Sequence, residues 1–364
     1  MNILYIANHL NIGGISSYVL TLATGLKRRG HNIYIASSGG ALLSRFTQEG
    51  IHYISIPIKT KRELSPKILF SMFKLKNIVK ARHIEIIHTH SRTTQVLGCL
   101  LSKNTGVTHI STCHGFFKKR ILRRIFHCWG KKNIAISEPV KEHLVKDLEV
   151  KKEDIRVIHN GIDIMKFIRP TDDARRTAKQ RLGLGSGPVV GIVARLSDVK
   201  GHRYLIEAMP EVLARFPQAQ LLIVGEGREK QGLIKLVRRL NMAEKVFFIP
   251  AVPDTQEVLA AMDVFVLPSL KEGLGLALIE AMACGLAVVG SDIGGIKNLI
   301  QHGKNGLLAA PADSVSLARG ISELLGEAKK RAGLGDNARE FVSRNFSQEE
   351  MVIQTERLYL ECVN

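Results

Sequence analysis

The chain has 364 residues, 45% of them apolar and 23% charged, with a net charge of +19. That length allows two domains with cores of their own, and the composition excludes a disordered chain. Five cysteines (Cys99, Cys113, Cys128, Cys284, Cys362) are scattered without a CxxC pair, which excludes a disulfide framework and points to reduced thiols in a cytoplasmic protein.

The first ten residues, MNILYIANHL, have no basic residue ahead of their apolar run and read as a first strand, not a signal peptide. Short β-branched runs at 3–7, 32–36, 52–56, 84–89, 108–112, 133–136 and 156–159 alternate with amphipathic stretches such as 16–29 and 67–80. Strands alternating with helices predict a mostly parallel sheet covered on both faces, whose ligands meet the loops at the strands' carboxyl ends. The glycines of NIGG at 11–14 follow the first strand, where a ligand can approach bare backbone, although they do not make the dinucleotide G-x-G-x-x-G pattern. His88 and His90 close one strand and read as structural. His114 closes another; Gly115 opens the backbone beside it, and both a structural and a ligand-facing role stay open.

Charge is uneven. Residues 1–170 hold 28 Lys and Arg against 10 Asp and Glu, and the other 194 residues hold 24 against 23. The first half is therefore expected to meet an anionic partner. Two stretches there combine cations with apolar spacing. In 66–82, PKILFSMFKLKNIVKAR, Ile68, Leu69, Met72, Phe73 and Val79 stand among five cations. In 116–132, Phe117, Ile121, Ile125 and Trp129 form a stripe beside Lys118, Lys119, Arg120, Arg123 and Arg124. Each stripe can pack into its own domain or lie on an anionic membrane surface. Nucleic acid is not expected, for want of any helix-turn-helix, zinc or RRM signature.

A polar segment at 168–187 reads as a connection, and the alternation restarts at Pro188 with strands at 189–194, 220–224, 246–249, 264–267 and 287–290. Helices are expected near 202–215, 229–240, 255–261 and 276–283, and the tail from 314 is helical. The apolar run 273–290 is broken by Glu280 and glycines and reads as a helix and strand, so no membrane span is expected. Arg195 and Lys200, in GIVARLSDVKG, follow a strand and can clamp a diphosphate, a salt bridge being the alternative for either alone. Glu272 and Glu280 lie in LPSLKEGLGLALIEAMACG, the first in a loop and the second about a turn inside a helix. The start of that helix, with free amides and a positive dipole end, suits phosphate.

Taken together, NGID at 160–163, GIVARLSDVKG, LLIVGEG, DVFVLPSLKEGLGLALIEAMACGLAVVGSDIGG and NGLLA resemble the retaining glycosyltransferase family 4 group. The resemblance implies an α/β chain of the GT-B fold, two doubly wound Rossmann-like domains facing across a cleft. Residues 1–168, with the last helix 348–364 packing back on them, would bind the acceptor, and 169–347 would bind the nucleotide-sugar donor. It further implies that Arg195 and Lys200 hold the diphosphate and that the backbone of Gly273, Leu274, Gly275 and Leu276 holds phosphate. Glu280 would accept hydrogen bonds from the ribose diol, and Val252 would face the base. Gly14 would approach the donor from the first domain. Glu272 would contact the transferred sugar and His114 its reacting side, as the catalytic pair.

The chain departs from the family pattern at Leu274, commonly Phe, at Ala287, usually Pro, and at Lys297-Asn298, usually Pro-Glu. The expected activity is retaining, metal-independent transfer of a hexose-type sugar from a UDP-linked donor to a lipid-linked saccharide of lipopolysaccharide or cell-surface polysaccharide synthesis. No cofactor or metal is expected, since Asp-x-Asp and H-E-x-x-H are absent. Lys118, Lys119, Arg120, Arg123 and Arg124 would meet the inner face of the plasma membrane. The rival expectations are a nucleotide-sugar epimerase of the same fold and a non-catalytic sugar-nucleotide or polyanion binder.

Overall fold

The computed structural model describes residues 1–60, 62–63, 65–117 and 127–363. They divide into two units, 1–161 with 348–364, and 162–347. Each is built on one parallel sheet.

In unit 1 the strands are β1 (Asn2–Ile6), β2 (Asn32–Ser37), β3 (His52–Ser55), β4 (Ile86–Thr89), β5 (Thr108–Cys113), β6 (Lys132–Ala135) and β7 (Ile155–Val157). They lie in the order β3-β2-β1-β4-β5-β6-β7, all parallel. Side chains alternate across β1. Ile3 and Tyr5 join the core formed with the helices Gly14–Arg28 and Gln348–Val363, while Leu4 and Ile6 join the core under Pro66–Ala81 and Arg92–Thr105. A sheet buried on both faces explains why its strands read as nearly continuous apolar runs.

In unit 2, β8 (Val189–Val193), β9 (Gln220–Val224), β10 (Val246–Ile249), β11 (Val264–Leu267), β12 (Ala287–Ser291) and β13 (Leu307–Ala309) form the order β10-β9-β8-β11-β12-β13, again all parallel. Strand order reverses between β1 and β4 in unit 1 and between β8 and β11 in unit 2. Carboxyl-end loops at such a switch point diverge and leave a crevice for a ligand.

One boundary differs from the sequence expectation. Residues 162–168, counted there with the first domain, cluster with unit 2, because Ile162 N–H donates to Phe346 O at 2.9 Å and Arg339 donates to Phe167 O at 2.8 Å. The basic stretch 116–132, with its apolar stripe, falls mostly outside the described residues. Of its apolar stripe, Trp129 is buried with the Arg92 guanidinium 5.2 Å from its ring centroid, and the Phe117 ring stands 5.9 Å away. Lys118, Lys119, Arg120, Arg123 and Arg124 lie outside the described residues. No helix among the described residues is long and apolar enough to cross a membrane.

Candidate active site

In unit 2 the loops that leave β8 and β11 carry most of the polar groups singled out above. The two loops are stitched together. Leu270 N–H donates to Val199 O at 2.8 Å, and Gly201, at φ 69°, lies so close to the Pro268 carbonyl that a Cβ there would run into it. The loop after β9 supports the first from its other side, with Leu196 N–H donating to Glu226 O at 2.9 Å.

On this frame Lys200 forms an ion pair with Glu272, whose Oε2 also accepts from Ser269 Oγ at 3.3 Å. The pair is sheltered, with side-chain exposures of 21% and 12%. Both residues lie in these loops, and each is the other's partner. Arg195 is exposed and has no hydrogen-bond or ion-pair partner among the described residues. Lys200 and Glu272 balance each other, and the Arg195 guanidinium is left open to an anionic ligand.

Next to them the helix Leu276–Ala283 begins. Its N-cap, Gly275, has a left-handed backbone (φ 93°); no side chain caps it, and its first turn holds no acidic residue. Its free amides and dipole therefore add a second positive feature. Gly295 keeps the preceding loop in place: its N–H donates to Glu272 O at 3.1 Å, and a Cβ there would run into the Gly273 carbonyl. Leu274 is buried at 2% exposure. Its side chain belongs to the protein interior, so exchanging Phe for Leu leaves the backbone of Gly273–Leu276 as the group available to a ligand.

Glu280 sits about one turn into this helix, partly buried, and accepts from Thr255 Oγ1 at 2.8 Å. Burial raises its pKa to about 7; the Thr255 hydrogen bond and the nearby Lys166 oppose this, and Asp254 adds to it. Lys166 is itself committed to Asp254 at 2.7 Å. Glu280 thus has no ion-pair partner among the described residues, and only one of its oxygens is hydrogen-bonded among them. Val252 is partly buried three residues before Thr255, in the same loop.

In unit 1, His114 lies directly after β5, and Gly14 is the exposed first residue of the helix Gly14–Arg28. Tyr18, one turn into that helix, meets the His114 ring edge-on at 4.7 Å. His114 Nε2 lies 3.3 Å from His90 Nδ1, and burial lowers the His114 pKa to about 3. His90 is lowered well below the ordinary histidine value, first by burial and then by His88 and His114, so both rings are neutral. His88 is bonded on both sides, to Tyr359 Oη at 2.5 Å and Thr112 Oγ1 at 2.7 Å, as a structural histidine should be. His90 is different, because its Nδ1 orients His114 and its Nε2 has no partner.

Eight of the site residues named from the sequence (Arg195, Lys200, Val252, Glu272, Gly273, Gly275, Leu276, Glu280) thus line or support three loops of unit 2, with the Leu274 backbone among them. Gly14 and His114 lie in unit 1, after its own strands β1 and β5. The sequence reading missed Ser269 and Thr255, the hydroxyls that hold the two glutamates, as well as Tyr18. Ser269 carried a signal, standing three residues before Glu272 in the same loop; Thr255 carried none.

Comparison with known proteins gives two family matches, Glycosyltransferase Family 4 over residues 12–166 and Glycosyl transferases group 1 over residues 174–341. N-acetyl-alpha-D-glucosaminyl L-malate synthase of Bacillus anthracis is 25% identical over 96% of this chain and 94% of its own. UDP-Gal:alpha-D-GlcNAc-diphosphoundecaprenol alpha-1,3-galactosyltransferase of Escherichia coli is 27% identical over 88% of this chain and 87% of its own. Among solved structures, HepE of Anabaena in complex with UDP-glucose superimposes with a TM-score of 0.88 over 99% of this chain and 100% of its own, at 24% identity. A glycosyltransferase of Rickettsia africae gives 0.87 over 100% and 98%, at 23% identity. The loops just described fall within the second family match, and between them the two matches take in most of the chain: it is a glycosyltransferase of family 4, with the GT-B fold.

Proposed function

We propose that the chain is a retaining glycosyltransferase that moves a hexose-type sugar from a UDP-linked donor to a lipid-linked saccharide in lipopolysaccharide or cell-surface polysaccharide synthesis. The main support is the placing of the cations at the carboxyl ends of adjacent strands, where Arg195 without a partner follows β8 and an uncapped helix start follows β11. A diphosphate entering there meets a forked guanidinium and free amides, and its charge draws Lys200 away from Glu272. Lys200 then neutralises the diphosphate, and Glu272 is released to bind hydroxyls of the sugar. Glu280 receives the ribose diol and Val252 faces the base.

In the reaction the bond between the anomeric carbon and the diphosphate oxygen breaks and the acceptor hydroxyl oxygen takes its place. The hydroxyl proton passes to the departing phosphate. Charge grows on the diphosphate as the bond breaks, and Arg195, Lys200 and the helix start are fixed in place to stabilise it, so the chemistry asks for no metal. Neutral His114 offers a hydrogen bond to the sugar without placing a cation beside an oxocarbenium-like centre.

The Escherichia coli relative is named for a UDP-galactose donor and a diphosphoundecaprenol-linked acceptor, and HepE was solved with UDP-glucose. Both support a UDP-linked donor here, and the first supports a lipid-linked acceptor. A lipid acceptor and the basic first half also fit a protein held peripherally at the cytoplasmic face of the plasma membrane. A panel of nucleotide sugars screened by thermal melting should identify the donor, since a ligand at 100 times its Kd stabilises by about 2.7 kcal/mol. With that donor, Glu272→Ala should lower transfer about 100-fold or more while the fold is kept. Unchanged turnover would overturn the assignment. Donor incubated alone should give slow hydrolysis by NMR; a second, epimeric sugar would mark an epimerase instead.

A further inference from the structure

We propose that the outer face of the helix Pro66–Ala81 docks unit 1 onto an anionic lipid bilayer. This deepens the reading of a lipid-linked acceptor, on which it rests for its purpose. The helix has two apolar faces. Ile68, Met72, Leu75 and Val79 are buried in the core of unit 1. Leu69, Phe70 and Phe73 point the other way, 52%, 68% and 66% exposed. The fold makes no use of them, and three large apolar side chains grouped on one exposed helix face mark an interaction surface.

The charges around that patch identify what it meets. At 100° per residue, Leu69, Phe73 and Lys80 share a face with Phe70 beside them. Lys76 falls on one flank and Lys67 and Lys74 on the other. Arg82 follows at the C-cap. No acidic residue occurs between Glu63 and Glu85, and none of these five cations has an ion-pair partner among the described residues. An apolar wedge ringed by unpaired lysines matches the boundary between acyl chains and anionic headgroups. A second copy of the chain is a poor occupant, because a two-fold contact would set five cations against five.

The test is sedimentation with vesicles of phosphatidylglycerol and phosphatidylcholine, and with phosphatidylcholine alone. The wild-type protein should bind the anionic vesicles and release as salt rises. F70S/F73S and K67E/K74E/K80E should each lower the partition coefficient at least about tenfold. All five side chains concerned stand clear of the core and of the donor loops, so melting and UDP-induced stabilisation should be unchanged in both variants. Wild-type protein that stays in the supernatant would overturn the proposal, as would variants that bind as well as it does. A concentration-dependent dimer abolished by F70S/F73S would overturn it too. Transfer to a detergent-solubilised acceptor separates this from the acceptor reading. Docking through the helix without transfer to any lipid-linked acceptor sinks only the acceptor assignment, and transfer without docking sinks only the helix.

Discussion

Glu280 shows how one side chain trades stability for a ligand. Its carboxyl, ordinarily near 4.5, is raised to about 7 by burial against a single hydroxyl partner. Between those two values the folded protein keeps a proton that the unfolded chain has lost. The favourable contribution is therefore present at low pH and disappears as pH rises from 4.5 through 7. Glu280→Gln removes that loss. The variant should melt with the wild type near pH 5 and above it at pH 8, while binding UDP at least about tenfold more weakly. A variant that melts no higher at pH 8 would count against a strained carboxylate. His114 titrates far lower, at about 3, and stays neutral over the whole working range. A limb in the transfer rate between pH 6 and 8 is therefore expected from Glu280 and not from His114. Glu280→Gln should abolish the limb, and His114→Gln should lower the rate while keeping its shape.

At the scale of elements, the donor site depends on loops that lean on one another. Gly201 closes the β8 loop with a left-handed backbone pressed against the carbonyl of Pro268 at the start of the β11 loop. Gly201→Ala should cost about 1–3 kcal/mol in stability from backbone strain alone. Because the added methyl pushes the two loops apart, UDP-induced stabilisation should fall further than melting does, and calorimetry with and without UDP measures both. Much of this was legible in the chain. Strands such as β8 and β11 are short β-branched runs ended by Gly, Pro or charge, and Arg195, Lys200 and Glu272 follow them directly. Other features carried no local signal. β13 is three residues long, too short for any periodicity. The Lys200–Glu272 and Thr255–Glu280 pairs join residues far apart in sequence, and only the packed loops bring them together. The helix Pro66–Ala81 was legible as amphipathic, but a sequence with apolar residues on two faces does not say which face is buried.

The whole molecule is two units threaded unequally, since unit 2 is inserted between Gly161 and Gln348 of unit 1. The last helix completes unit 1. Tyr359 reaches Tyr5 Oη at 3.1 Å and His88 at 2.5 Å, and Glu356 pairs with Arg29 and His31, each at 2.6 Å. Each unit has its own apolar core, so each can unfold as its own cooperative step. Trp129 is the only tryptophan in the chain and is buried in unit 1, where its emission reports that unit alone. Far-UV circular dichroism reports both. Gly14 apart, the residues assigned to the nucleotide all belong to unit 2, and a ligand stabilises what it binds. Saturating UDP should therefore raise the midpoint of a dichroism transition while leaving the Trp129 midpoint in place. Tyr359→Phe should do the reverse. It leaves His88 Nδ1 buried without a partner, a loss of about 1–3 kcal/mol, and should lower the Trp129 midpoint without changing the response to UDP. Movement of the Trp129 midpoint by UDP would place part of the nucleotide site in unit 1.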